Sequence, residues 1–212
     1  MISQHLYLVI LWVLFCIQHS VLAGEWWKSK MRLLLRNRFR FYRLYYSVFA
    51  MLNMLFLLYF QYTIESVAIW ETFELLNFIG LLSGTTGIIV MILCIRKYFF
   101  QLSGVSVFSG ADHSAPILQT HGIHNFVRHP LYFGTLLFIW SCFLLFPFWS
   151  NLAACVLISI YTIAGIRIEE RKLIQEFGEK YKMYAEKVPM LIPGVFMQWT
   201  KLRRQFSGNN IT

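Results

Sequence analysis

Five apolar runs punctuate the chain, at residues 6–24, 44–61, 73–95, 131–149 and 151–168, and most of its polar residues fall between them. Each run comes close to the ~20 residues that a helix rising ~1.5 Å per residue needs to cross ~30 Å of hydrocarbon. The pattern predicts an all-α integral membrane bundle of about five transmembrane helices, forming one domain over residues 1–212. The first run has no Lys or Arg before it and is followed by four more, so it is expected to stay in the mature protein rather than be cleaved as a signal peptide. Only residues 147–151 join the last two runs, which leaves room for nothing but a tight antiparallel turn. Those two spans are therefore expected to form a helical hairpin whose polar flanks share one face.

The stretches between the runs differ in kind. Residues 25–43 mix Trp26, Trp27, Leu33, Leu34, Leu35, Phe39 and Phe41 with seven cations, which suits a helix lying in the headgroup layer as a membrane anchor. The connection from Arg96 to His129 is 34 residues long and holds Gly104, Gly110 and Gly122 together with four of the six histidines: His113, His121, His124 and His129. Packed helices are usually joined by far fewer residues, and connections of this length often mark function. Beyond the last span a cytoplasmic helix is expected over 168–187, and the tail 207–212 is expected to be disordered.

Composition and charge narrow the picture. At 58% hydrophobic and 14% charged residues, the chain is too apolar to present a water-soluble surface. Its net charge of +9 raises nucleic acid as a partner, but all 19 basic residues fall in the first and third loops or from Arg167 onward, at the end of the fifth run and beyond. The second loop, residues 63–72, carries Glu65, Glu71 and no cation. This split follows the positive-inside rule, not a nucleic-acid patch, and puts the N-terminus outside and the C-terminus in the cytoplasm. Cys16, Cys94, Cys142 and Cys155 lie in or beside the runs with no metal-binding spacing, and read as small buried apolar residues.

Two polar clusters flank the hairpin on the cytoplasmic side. In the first, Arg128 and His129 precede Pro130, which suits the first turn of a helix, so both residues sit at a positive helix end where a ligand carboxylate would be favoured. In the second, Glu170, Leu173, Ile174, Phe177, Tyr181 and Tyr184 are three or four apart and share a stripe facing the protein; Glu169 sits at its margin, with Lys172, Glu176 and Lys180 on a solvated face. The hairpin brings Arg128, His129, Tyr132, Glu169 and Glu170 around one pocket. Charged residues at span ends also serve as snorkelling or paired anchors, and position alone names no reaction.

The residues Gly122, Arg128-His129-Pro130, Tyr132, Gly134, Glu169-Glu170, Leu173, Phe177-Gly178, Tyr181, Tyr184, Val188-Pro189 and Pro193 resemble, in order and spacing, the isoprenylcysteine carboxyl methyltransferase superfamily. The match covers roughly 75 residues of the second half. The resemblance implies S-adenosylmethionine as cofactor, bound at the cytoplasmic face without a Rossmann fold and surrounded by His121, Gly122, His124, Arg128, His129, Tyr132, Glu169 and Glu170. His124 departs from the pattern, since the family commonly has Tyr there. Arg128, His129 and Glu170 are the catalytic candidates, with His129 or Glu170 as the group that removes a proton. No metal is implied.

In the first half, Gln18-His19-Ser20-Val21-Leu22-Ala23 and Phe41-Tyr42-Arg43-Leu44-Tyr45-Tyr46 resemble NnrU-like and methanethiol S-methyltransferase-like bacterial proteins. This implies a bacterial inner-membrane enzyme that methylates a small thiol or another hydrophobic acceptor, with a phospholipid or a prenylated cysteine as rival acceptors. It also leaves open a haem-binding isomerase held by His19 and His129, and a non-catalytic scaffold that keeps the pocket as a relic.

Overall fold

The computed structural model describes residues 2–103 and 118–193, all of them helix, turn or loop apart from one isolated bridge. His113, Gly104, Gly110 and the tail 207–212 lie outside the described residues. The helices are α1 (Ile2–Ala23), α2 (Glu25–Leu35), α3 (Tyr42–Thr63), α4 (Glu74–Ser103), α5 (Pro130–Leu145), α6 (Trp149–Phe177) and α7 (Glu179–Lys187). A 3₁₀ segment, Arg36–Phe41, joins α2 to α3, and Gly122–Asn125 forms a second. Four stretches are long and apolar enough to cross a membrane, namely α1, the α2–α3 run, Glu74–Arg96 of α4, and α6; α5 is apolar but shorter. The chain is an integral membrane protein built as an all-α bundle.

Several element ends depart from the sequence reading for identifiable reasons. Helix α5 stops at Leu145 instead of continuing to 149, because Phe146 precedes Pro147 and takes φ −130°, ψ 78° outside the helical region. Helix α4 runs on to Ser103, past the apolar run that ends at 95. The 168–187 segment is not a separate helix: α6 continues unbroken through Phe177, and only then does Gly178, at φ +55°, break it from α7. At ~1.5 Å per residue α6 is about 43 Å long, so its last turns project beyond the hydrocarbon and carry Glu169 and Glu170 with them.

Two packing centres hold the bundle. Leu8, Trp12, Leu57, Ile64 and Ala154 bury together where α1, α3 and α6 meet. Helices α4 and α5 approach until their backbones touch. A Cβ on Gly87 would lie 2.8 Å from the Gly134 carbonyl, one on Gly134 would lie 2.9 Å from the Gly87 carbonyl, and one on Gly84 would meet the Ser141 hydroxyl at 2.6 Å. Without a hydrophobic difference between lipid and protein, such close van der Waals packing is a main source of helix association. At the end of the bundle away from Arg128, the 64–72 loop is pinned on the α5–α6 turn by Ile69 N–H to the Pro147 carbonyl (2.7 Å) and Ser150 N–H to the Ser66 hydroxyl (3.1 Å).

Helix α2 buries none of its residues. Trp26, Leu33 and Leu34 are exposed, and cations lie over rings, with Lys30 Nζ 3.8 Å from the Trp26 ring centre and the Arg32 guanidinium 5.1 Å from Phe39. This is the surface an interfacial anchor would show.

Candidate active site

Arg128 organises the site. Its Nε donates to Glu170 Oε1 at 2.8 Å and its Nη2 approaches the same oxygen at 2.7 Å. Its Nη1 donates to the carbonyls of Ala185 (2.7 Å) and Val188 (2.8 Å), which α7 leaves unsatisfied at its end. The backbone alongside completes the grip, with Arg128 N–H to the Pro189 carbonyl at 2.9 Å and His129 N–H to the Met190 carbonyl at 3.2 Å. The planar fork of guanidinium donors suits this divided duty, which a lysine could not perform. Arg128 is therefore committed to holding protein groups, and the carboxylate clamp suggested by its position is spent on Glu170.

His129 sits behind it with its side chain 5% exposed. Its Nε2 lies 3.2 Å from Glu170 Oε1 and its Nδ1 3.9 Å from Glu169 Oε2. A carboxylate can only accept, so Nε2 carries a proton toward Glu170, and in the neutral form of the ring Nδ1 then holds a lone pair on the Glu169 side. Tyr181 donates a third kind of hydrogen bond to Glu170 Oε1 at 3.3 Å. Burial, followed by the charge of Glu170, pushes the Tyr181 phenol upward, so it stays a neutral donor. Tyr184 donates to the His124 carbonyl at 2.7 Å, tying α7 to the loop before α5.

His124, Arg128, His129, Tyr181 and Tyr184 form one wall of a cavity of about 270 Å³, also lined by Cys94, Leu118, Gln119, Tyr132, Leu173 and Phe177. Of the residues proposed from sequence to surround a cofactor, His124, Arg128, His129, Tyr132 and Glu169 line it. Glu170, 21% exposed, stands behind Arg128 and His129, whereas Glu169 is 45% exposed and opens onto the cavity. His121 and Gly122 do not line it; both are exposed, and Gly122 turns the chain at φ +72°. Ile174 leaves the expected stripe for the surface, being 39% exposed. Cys94, Leu118 and Gln119 were missed, since nothing in their local pattern distinguishes them from the run and loop they belong to. His19 lies elsewhere, with the Tyr46 hydroxyl 2.8–2.9 Å from its ring nitrogens.

Among the described residues, no group of three or more His, Cys, Asp or Glu is arranged to hold a metal.

Comparisons with known proteins agree on the kind of protein this is. The phospholipid methyltransferase family model matches residues 76–180, which take in most of α4, all of α5, both carboxylates and the cavity lining except Tyr181 and Tyr184. Methanethiol S-methyltransferase 2 of Bradyrhizobium diazoefficiens is 30% identical over 201 residues, covering 89% of this chain and 73% of that protein. Methanethiol S-methyltransferase 1 of the same organism is 29% identical, covering 87% of the chain and 65% of that protein. The chain thus spans roughly two thirds of the length of these relatives. Protein-S-isoprenylcysteine O-methyltransferase of Schizosaccharomyces pombe is 32% identical over 111 residues, 48% of this chain. No solved structure matches the chain. Its helices, its two polar clusters and these relatives together make the chain a member of the phospholipid and isoprenylcysteine methyltransferase family of membrane proteins.

Proposed function

We propose that the chain transfers a methyl group from S-adenosylmethionine to a small thiol, at a site on the cytoplasmic face of a bacterial inner membrane. The carrying observation is the Arg128–Glu170–His129 assembly beside a cavity that presents Glu169 and three tyrosines. The cavity suits the cofactor's chemistry: Glu169 can take an ammonium or ribose hydroxyls, and Tyr132, Tyr181, Tyr184 and Phe177 offer faces to an adenine ring. The split of basic residues supports an N-terminus outside and a C-terminus inside. Methanethiol, the acceptor in the names of the relatives that match over most of the chain, supports a thiol.

S-adenosylmethionine supplies a methyl carbon on a sulfonium, so transfer to a thiol breaks that carbon–sulfur bond, forms the new one and frees the thiol proton. In this reading His129 takes the proton at Nδ1, with Glu170 holding the opposite ring nitrogen, 3.2 Å away, as the donor. Glu170 acts through His129, as a positioning residue, and Arg128 keeps Glu170 in place. The remaining contribution is alignment and exclusion of water by the cavity wall.

The test is a melting curve of the detergent-purified protein with and without S-adenosylmethionine, paired with labelled-methyl transfer to ethanethiol. A rise in Tm and label on the thiol are expected. A wild-type protein with neither response would sink the reading.

A further inference from the structure

Two further cavities adjoin one another and the cofactor pocket through shared lining residues. A chamber of about 590 Å³ lies among α1, α3, α4, α5 and α6, and shares Leu131 and Tyr132 with the cofactor pocket. At its other end it shares Leu58, Gln61 and Asn151 with a cavity of about 600 Å³ beneath the 64–72 loop and the α5–α6 turn. The three thus form a series from the end of the bundle opposite Arg128 to the wall beside His129. Two partitions interrupt it. One is the Gln61–Asn151 amide pair, joined at 2.7 Å, with Trp12 Nε1 donating to Gln61 at 3.0 Å and Asn151 donating to the Phe146 carbonyl at 2.7 Å. The other is Tyr132, whose ring centre is 5.8 Å from that of His129.

No Lys, Arg, Asp or Glu is found among the described residues that line the chamber or the outer cavity. Moving an ion through such a lining would be costly, whereas a neutral molecule pays only for its contacts with the wall. A thiol resembling the cysteine side chain, with an ordinary pKa of ~8.5, is mostly uncharged near neutral pH. It can travel protonated and give up its proton only on reaching the histidine.

Resting on the methyltransferase reading above, we propose that the acceptor is a small uncharged thiol that enters at the end of the bundle opposite Arg128 and reaches the methyl group through this series of cavities. The amide pair is the outer gate and Tyr132 the inner one. An acceptor carrying a carboxylate or phosphate is excluded by the same lining.

Leu58 is half exposed, lines both outer cavities and stands outside the amide network, so Leu58→Trp should narrow their junction without touching the cofactor pocket. With ethanethiol as acceptor, KM should rise at least ~10-fold while kcat and the S-adenosylmethionine-induced Tm shift are kept, the signature of impaired access. An unchanged KM in the folded variant overturns the route. A second readout needs no turnover: Cys16 and Cys142 line the chamber, and their modification by methyl methanethiosulfonate, followed by mass spectrometry, should slow at least ~10-fold in Leu58→Trp. Equal labelling rates overturn the proposal even if methyl transfer is never seen, and absence of methyl transfer in the wild type speaks against the methyltransferase reading instead. Should the Trp variant fail to fold, Leu58→Phe must show the same slowing to a smaller degree, at least ~3-fold; wild-type rates there are equally decisive against it.

Discussion

A single carboxylate oxygen, Glu170 Oε1, receives the guanidinium of Arg128, the imidazole of His129 and the phenol of Tyr181. Arg128→Lys preserves the charge but cannot reach the carboxylate and two carbonyls at once. It should lower stability by about 2 kcal/mol, less than for a fully buried pair because Glu170 is partly exposed, and a thermal melt reads this directly. His129→Gln should retain the cofactor-induced Tm shift while transfer falls by ~10²–10⁴-fold, the usual range for a lost general base. Full activity in that variant would move the base elsewhere. Glu169→Gln should do the reverse: calorimetry would show weaker cofactor binding, by ~10-fold for one lost charge-assisted contact, with little change in Tm. Sequence spacing was enough to pair Arg128 and His129 with the two glutamates, since one short turn between spans leaves no other arrangement. It could not tell that Arg128 spends its donors on α7, because the carbonyls of Ala185 and Val188 are backbone groups that every residue possesses.

Between elements, the tightest contact is one the hydrophobic pattern hides. Gly80, Gly84 and Gly87 line one side of α4, yet in an apolar run glycine reads as filler. Their role emerges only where α5 presents Leu145, Ser141 and Gly134 to them in turn. Gly134→Ala puts a methyl against backbone that cannot yield as a side-chain tip would, so overpacking of about 1–3 kcal/mol is expected. Gly178→Ala offers an informative contrast, because nothing lies within 4 Å of its added Cβ and only the left-handed φ of +55° matters. It should cost about 1–2 kcal/mol. Comparing the two Tm values separates steric crowding from backbone strain. Element ends were the least legible part of the fold. Pro147 shortens α5 through its effect on Phe146, and the α6 helix ignores the change from apolar to polar sequence at 168 because both halves are good helix.

For the molecule as a whole, number of spans and charge distribution were plain in the sequence, as lipid imposes length and apolarity more strictly than water imposes anything on a soluble chain. The cavities were not, since they arise from how five helices lean together. Orientation is testable on the whole protein: a reporter active only in the cytoplasm should work when fused after Pro193 and fail when fused before Ser3, and the opposite result would invert the topology. The grip on Arg128 also has an order in time. The carbonyls gripped by Arg128 and the backbone partners of Arg128 and His129 all belong to residues 185–190, which follow α6 in the chain. Arg128 and Glu170 can therefore meet as α5 and α6 pack, whereas the remaining donors of Arg128 find their carbonyls only when α7 docks.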